Sequence, residues 1–435
     1  MISINEFKKR QKALLNYLNE DSIAILFSAP EYIRNGDNHY PYRQNSYFYY
    51  LTGFNEPESA AIFVPKRPEG EYILFNRPLN PMMEKWNGPI IGQEGACENF
   101  LADQAFSIDM LKDFLPQLLQ DRKQIHMLMG YHTEYEKMIW DMLIQLKNKK
   151  QKHCIIPTEI INLEDFLSDQ RLIKSETEIN IMREAAKISA QGHKRAMKAC
   201  KPGLAEYHLE AELLYGFNSQ GSASVAYQSI VGSGKNACIL HYSQNNAMLK
   251  DNELVLIDAG CELHGYASDI TRTFPINGRF SKEQRAIYEL VLAAQLAGIE
   301  QIYPGNSWEK IQETMLEVLV KGLVELTILK GNISDLLSTR AYLPFYMHSS
   351  GHWLGLDVHD TGAYKIKDQF RLLEPGMVLT VEPGLYLSPD ASVDPKWWNI
   401  GIRIEDDIVV TENGYEILSC DAPKLIDEIE SLMTQ

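Results

Sequence analysis

Two hydrophobic periods take turns along the first part of the chain. From Phe7 to Leu18 apolar residues recur at helical spacing behind a basic polar face, and SIAILFSA from Ser22 is a continuous apolar run of strand length. AAIFVP from Ala60 and EYILFN from Glu71 repeat the strand pattern on either side of KRPEG, where a proline and a glycine break the run. Alternating helix and strand patterns predict a layered α/β domain. The pattern changes near residues 165–172. Beyond it Ser175 is followed by Glu178, the spacing of a capping box, and a long amphipathic helix then runs toward Pro202-Gly203. The expected domains are therefore 1–170 and 171–435.

In the second domain the reading gives a helix from Glu206 to Phe217 and strands in ELVLIDAG and DITRTFPI. A helix from Lys282 to about Ile302 and another from Trp308 to Leu326 follow, then strands around MVLTVEPGLYL and IRIEDDIVVT. Helices followed by strands occur twice. This suggests two duplicated halves, legible in element order rather than in residue identity.

Composition narrows the function classes. Of 435 residues, 45% are hydrophobic and 23% charged, which is ordinary globular usage with room for two to three domains. The net charge of -16 disfavours nucleic-acid binding, which needs a basic surface to displace counterions. Cys97, Cys154, Cys200, Cys238, Cys261 and Cys420 are scattered without a CxxC pair, the pattern of thiols in a reducing compartment. No stretch reaches the apolar length of a membrane span, and the charged N-terminus lacks a signal-peptide pattern. These features predict a cytoplasmic protein without membrane or nucleic-acid partners.

Five residues then stand out against their surroundings. Asp258 ends the apolar run LVLID, and Asp269 lies eleven residues later in YASDITRTF, with a glycine-containing turn between them that would let the two face each other across paired strands. His352 lies in SSGHWLGLDVHD, Glu382 in LTVEPGLY and Glu405 in GIRIEDDIVV. Carboxylates inside apolar strands are expensive to bury unless a cation neutralises them. Four such carboxylates balance two divalent cations. A set rich in oxygen with one imidazole favours Mn²⁺, with Zn²⁺, Co²⁺ or Fe²⁺ as alternatives. Paired metals acidify a water, which points to hydrolysis. Taken singly, each residue has a plainer reading: Asp258 as a turn cap, Glu405 with Asp406 and Asp407 as a solvated acidic strand end, His352 as a hydrogen-bonded histidine. Together they make the metal site the better account.

The order and contexts of these five, IDAGCELHGYASDITRTF, SSGHWLGLDVHD, VLTVEPGLY and GIRIEDDIVV, resemble the pita-bread metallopeptidases. YPYRQNSYFYYLTGFNEPE and the linker RLIKSETEI resemble the proline-specific aminopeptidase P branch. The resemblance implies a curved antiparallel sheet backed by helices, with pseudo-twofold halves. It implies that Asp258, Asp269 and Glu405 hold one metal, while Asp269, His352, Glu382 and Glu405 hold the other. A bridging hydroxide would then attack the carbonyl before proline. His359, seven residues after His352, has the chemistry to donate to an oxyanion. His241 in ILHYSQNN and His348 in MHSSGH match further family positions, and the expectation here is that they orient substrate or shuttle protons. Glu382 is the expected proton acceptor, Arg403 a partner of a ligand carboxylate, and Tyr386 a further substrate-site residue. An Xaa-Pro bond has no N–H and a ring-fixed φ, so its site needs an apolar ring pocket. The resemblance implies that Trp86 closes it, on a neighbouring subunit, and that Asp37 in RNGDNHYPYRQNS contacts the peptide. The first domain would mediate assembly and cover the site, giving a homodimer or homotetramer. The rivals are a prolidase, which grips the carboxylate of an Xaa-Pro dipeptide with an arginine, a non-catalytic binding module, and creatinase-like C–N hydrolysis. The last two are disfavoured by the complete ligand set.

Overall fold

The computed structural model describes residues 2–148, 155–222, 224–389 and 393–434, so Cys154 lies outside the described residues. The chain divides into two compact units, Met1–Gln170 and Arg171–Gln435.

In the first unit the helix Ile4–Tyr17 starts at Ser3, whose hydroxyl accepts the Glu6 N–H. A six-stranded sheet runs in the order Gln104–Ser107, Tyr72–Asn76, Ala60–Phe63, Ser22–Phe27, Gln124–Met127 and Glu159–Asn162. Its three middle strands pair antiparallel and its outer strands join in parallel. SIAILF is buried at every position, which is why its sequence is continuously apolar instead of alternating. The helices Leu111–Leu119 and Thr133–Asn148 pack on this sheet through Leu115, Leu119, Ile139 and Leu143.

In the second unit the capping box forms at Ser175 and Glu178 and opens the helix Glu176–Ala199. That helix packs on Glu206–Asn218 where two glycines meet; a Cβ on Gly216 would fall 2.9 Å from the Cα of Gly192. In a second helix pair, Lys282–Ile299 and Trp308–Glu325, Gly298 instead makes room for Met315 of the facing helix and Gly322 for Leu290. Each pair is followed by antiparallel strands: Ile230–Ser233, Leu254–Asp258 and Thr271–Pro275 after the first, then Val378–Val381, Asp406–Thr411 and Gly414–Ile417 after the second. The halves are joined by backbone, because Glu405 N–H donates to the Thr271 carbonyl at 3.0 Å.

Three details differ from the sequence expectation. MVLTVEPGLYL is two strands, Val378–Val381 and Gly384–Leu387, interrupted at Glu382-Pro383. IRIEDDIVVT is likewise broken, at Ile404-Glu405, between Ile400–Arg403 and Asp406–Thr411. A proline that cannot donate ends the first run. Between Asp258 and Asp269 the chain builds a small hairpin of its own, Glu262 opposite Ala267, so Asp258 pairs with Thr271 and Asp269 lies just outside the ladder. Among the described residues no helix is long and apolar enough to cross a membrane.

Candidate metal centre

A cleft of about 590 Å³ opens in the second unit, and Asp258, Asp269, His352, Glu382 and Glu405 all line it. Asp258 comes from a strand end, Asp269 from the return of the small hairpin, and Glu382 and Glu405 from the two strand breaks. A break frees the side chain from strict alternation, so a ligand can turn inward beside residues facing the other way. Glycines make room: a Cβ at Gly260 would lie 1.8 Å from the Ser268 carbonyl, and one at Gly351, beside His352, would lie 2.0 Å from that of Thr380.

Asp269, His352 and Glu405 present ligand atoms within 4.8 Å of one another. His352 Nε2 lies 3.3 Å from Asp269 Oδ2, 3.9 Å from Glu382 Oε1 and 4.0 Å from Glu405 Oε1. The other ring nitrogen, Nδ1, donates to the Trp353 carbonyl at 3.0 Å. That bond fixes the tautomer and leaves the Nε2 lone pair for a cation. Thr271 Oγ1 donates to Glu405 Oε2 at 2.7 Å. Burial and three neighbouring carboxylates push Glu405 well above the usual carboxylate range. Burial likewise lifts Glu382 to about 8, with His352 and Arg403 opposing, and raises Asp258 against the pull of Arg403. Burial would raise Asp269 too, but the hydrogen bond and charge of His352 outweigh it and hold it low. His352 is carried to about 9: burial lowers it, and Asp269 and Glu382 more than compensate. So much negative charge around one imidazole and one guanidinium is the electrostatic signature of a site that fits divalent cations.

Arg403 is buried, and its guanidinium is fully engaged: Nη2 on Asp258 Oδ2, Nη1 on the Tyr386 hydroxyl at 2.9 Å, and Nε on Thr271 Oγ1 at 3.2 Å. His348 Nδ1 donates to the Ser349 carbonyl at 2.7 Å, and its Nε2 accepts the Tyr386 hydroxyl at 2.8 Å. Burial and Arg403 hold it at about 4, so it is neutral. His359 is exposed on the cleft wall with its ring edge-on to His352, centroids 4.3 Å apart. Burial and His352 lower its pKa. His241 stands exposed at the rim. Trp86 and Asp37 belong to the first unit, and both are exposed. Trp86 is 80% exposed on the helix Pro81–Asn87, and Asp37 is in the turn between Ile33–Asn35 and Asn38–His39.

The structure adds residues that the sequence did not single out. The Tyr227 hydroxyl lies between two of these carboxylates, 2.6 Å from Asp258 Oδ1 and hydrogen-bonded to Asp269 Oδ1. Nothing in VAYQS marks that tyrosine among the chain's 22. Glu405, Asp406 and Asp407 are not a solvated acidic end; all three are buried and each faces a different partner. Asp407 accepts the Asp269 backbone N–H at 3.1 Å. Asp406 takes Arg272 at 2.7 Å, Ser419 at 2.6 Å and Lys424 at 2.6 Å. Arg272, also buried, donates from Nη1 to the carbonyls of Thr271 and Glu405, and from Nη2 and Nε to those of Ala422 and Pro423.

Comparison with known proteins puts this geometry in context. Residues 180–412, just over half the chain, match Metallopeptidase family M24. The chain belongs to that family. Residues 7–127 match the N-terminal domain of aminopeptidase P. Over 433 residues the M24 chain is 44% identical to the Xaa-Pro aminopeptidase of Escherichia coli, covering 99% of this chain and 98% of that one. The structure of Pseudomonas aeruginosa aminopeptidase PepP superposes with a TM-score of 0.98 at 50% identity, over 100% of this chain and 98% of the other. Proline aminopeptidase P II from Yersinia pestis gives 0.97 at 46%, over 100% of both. The expected architecture, an α/β N-terminal domain followed by an M24 pita-bread domain, is the one these relatives share with this chain.

Proposed function

We propose that this M24 metallopeptidase is an aminopeptidase that releases the N-terminal residue from peptides with proline in second position. The observation that carries the reading is the gathering of four carboxylates and one oriented imidazole on the wall of one cleft. Near-full-length similarity to Xaa-Pro aminopeptidases supports the proline preference. Asp258, Asp269 and Glu405 would hold one divalent ion and Asp269, His352, Glu382 and Glu405 the other, with Mn²⁺ the ion best suited to so oxygen-rich a set. Such a pair, when bound, supplies an acidified water and polarises the scissile carbonyl.

The remaining work falls to the chain's own groups. Glu382, on the cleft wall with its Oε1 3.9 Å from His352 Nε2, is the carboxylate we assign to accept the proton of the attacking water. The prolyl nitrogen leaves as a secondary amine and must gain that proton. His359 donates to the developing oxyanion. His241 orients the peptide at the rim, while neutral His348 and Tyr386 relay hydrogen bonds beside Glu382. Arg403 bears on the choice between aminopeptidase and prolidase. Among the described residues lining the cleft it is the one arginine or lysine, and Asp258, Tyr386 and Thr271 occupy all three of its nitrogens. Among the described residues of the cleft wall, no arginine or lysine without such partners remains to grip the carboxylate of a dipeptide.

For the first unit we propose assembly and active-site cover, with Trp86 of a neighbouring copy closing the ring pocket and Asp37 meeting the peptide. The apolar exposure of Trp86 together with Met82, 66% exposed, is what supports an interface there. A homodimer or homotetramer follows. The five described cysteines are free, in keeping with action in the reducing cytoplasm. The deciding experiment strips the protein with a chelator, restores Mn²⁺ and compares an Xaa-Pro-Xaa tripeptide with its Xaa-Pro dipeptide. Metal-dependent cleavage of the tripeptide with a slow dipeptide is expected; a dipeptide preference would make the enzyme a prolidase.

A further inference from the structure

The linker motif RLIKSETEI carries two cations to which the activity above assigns no task. Neither is a surface charge. The side chains of Lys174 and Asp360 are each 1% exposed and that of Arg171 2%. Lys174 Nζ donates to Asp360 Oδ2 at 2.9 Å, and Arg171 Nη2 to Asp360 Oδ1 at 2.5 Å and Asp357 Oδ2 at 2.7 Å. Buried ion pairs are poor stabilisers compared with apolar side chains of the same volume. Their value is in what they hold in place.

Here the trail leads along the backbone to the metal centre. Asp360 N–H donates to the Trp353 carbonyl at 2.8 Å. That same carbonyl accepts His352 Nδ1–H at 3.0 Å, the bond that aims Nε2 at the carboxylates. Asp360 also directly follows His359. Gly355 is an independent sign that the turn is built around this carboxylate, since a Cβ there would fall 2.2 Å from Asp360 Oδ2 and 3.0 Å from Lys174 Cε. The Gly355 carbonyl in turn accepts Ala267 N–H at 2.8 Å, in the hairpin that leads to Asp269. On its other side the motif is pinned to the turn before the strand Val378–Val381, with Lys174 N–H on the Gly376 carbonyl at 2.8 Å.

We infer that Arg171, Lys174 and Asp360 form a positioning clamp that sets the tautomer and aim of His352 and the placement of His359. The linker thereby tunes the metal affinity of the centre; the inference rests on the metallopeptidase reading for the role of His352. The test is calorimetric titration of stripped protein with Mn²⁺, alongside tripeptide kinetics. Lys174→Met and Gly355→Ala should each weaken Mn²⁺ binding about 10- to 100-fold and lower kcat with little change in KM. Lys174→Arg should recover most of the loss. Because Lys174→Met leaves a buried carboxylate short of a partner, the double variant Lys174→Met/Asp360→Asn removes both charges together. If that double variant melts cooperatively and binds Mn²⁺ as tightly as the wild type, the clamp has no positioning role and the inference fails. It fails equally if Lys174→Met loses melting temperature while keeping its Mn²⁺ affinity. Wild-type protein that binds Mn²⁺ without cleaving the tripeptide would overturn the proposed activity alone, since the clamp is read from the titration.

Discussion

Tyr227 shows how far a single side chain can matter without being a ligand. Its one hydroxyl proton is shared between Asp258 and Asp269, so it sets the spacing of two carboxylates that would otherwise repel. Tyr227→Phe should keep the fold and weaken Mn²⁺ binding about 10- to 100-fold, measured by calorimetry on stripped protein. His359→Ala removes the proposed oxyanion donor and nothing from the core, so kcat should fall about 10²-fold at nearly unchanged melting temperature. Near-normal turnover in that variant would rule the role out. Asp258, Glu382 and Glu405 were legible in the sequence because each is a carboxylate in or at the end of an apolar run, where its cost demands an explanation, while Asp269 and His352 stood out by their order and context. Tyr227 was not, because a tyrosine in a half-buried bend between strands carries no such cost. Asp406 and Asp407 misled for the opposite reason: adjacent acids read as solvated until the structure supplies Arg272, Lys424 and the Asp269 amide.

At the scale of elements, helix starts were the easiest features to read, because capping chemistry is local: the reciprocal cap expected at Ser175 and Glu178 forms, and the structure adds a second at Ser281 and Gln284. Strand ends were harder. The apolar pattern runs straight through Glu382 and Glu405, and only pairing partners reveal that the ladder stops there. Those stops are what let a ligand face inward. Gly351→Ala tests the packing behind one of them: a methyl group at 2.0 Å from the Thr380 carbonyl must push the His352 segment away from its strand. Loss of measurable Mn²⁺ binding and a clearly lowered melting temperature are expected, and a variant with wild-type affinity would show that the segment yields without cost.

For the molecule as a whole, the metal centre is a store of unfavourable charge that cations relieve. Without them, Glu382 at about 8 and His352 at about 9 both bind protons more tightly than an unfolded chain would. Their stabilisation is complete at low pH and is lost as pH rises through those values. Stripped protein should therefore melt progressively lower between about pH 5 and pH 9, and saturating Mn²⁺ should flatten that slope. An unchanged slope on adding metal would mean that the cations bind elsewhere. Oligomerisation belongs to the same scale: light scattering should give a dimer or tetramer, and a monomer at micromolar concentration would remove the role given to Trp86. Arg272 adds a last consequence. Its guanidinium holds the carbonyls of Thr271 and Glu405 on one side and those of Ala422 and Pro423 on the other. The stretch from Ala422 to Lys424 is thus part of the foundation of the cleft floor, and removing it would disarm the enzyme from behind.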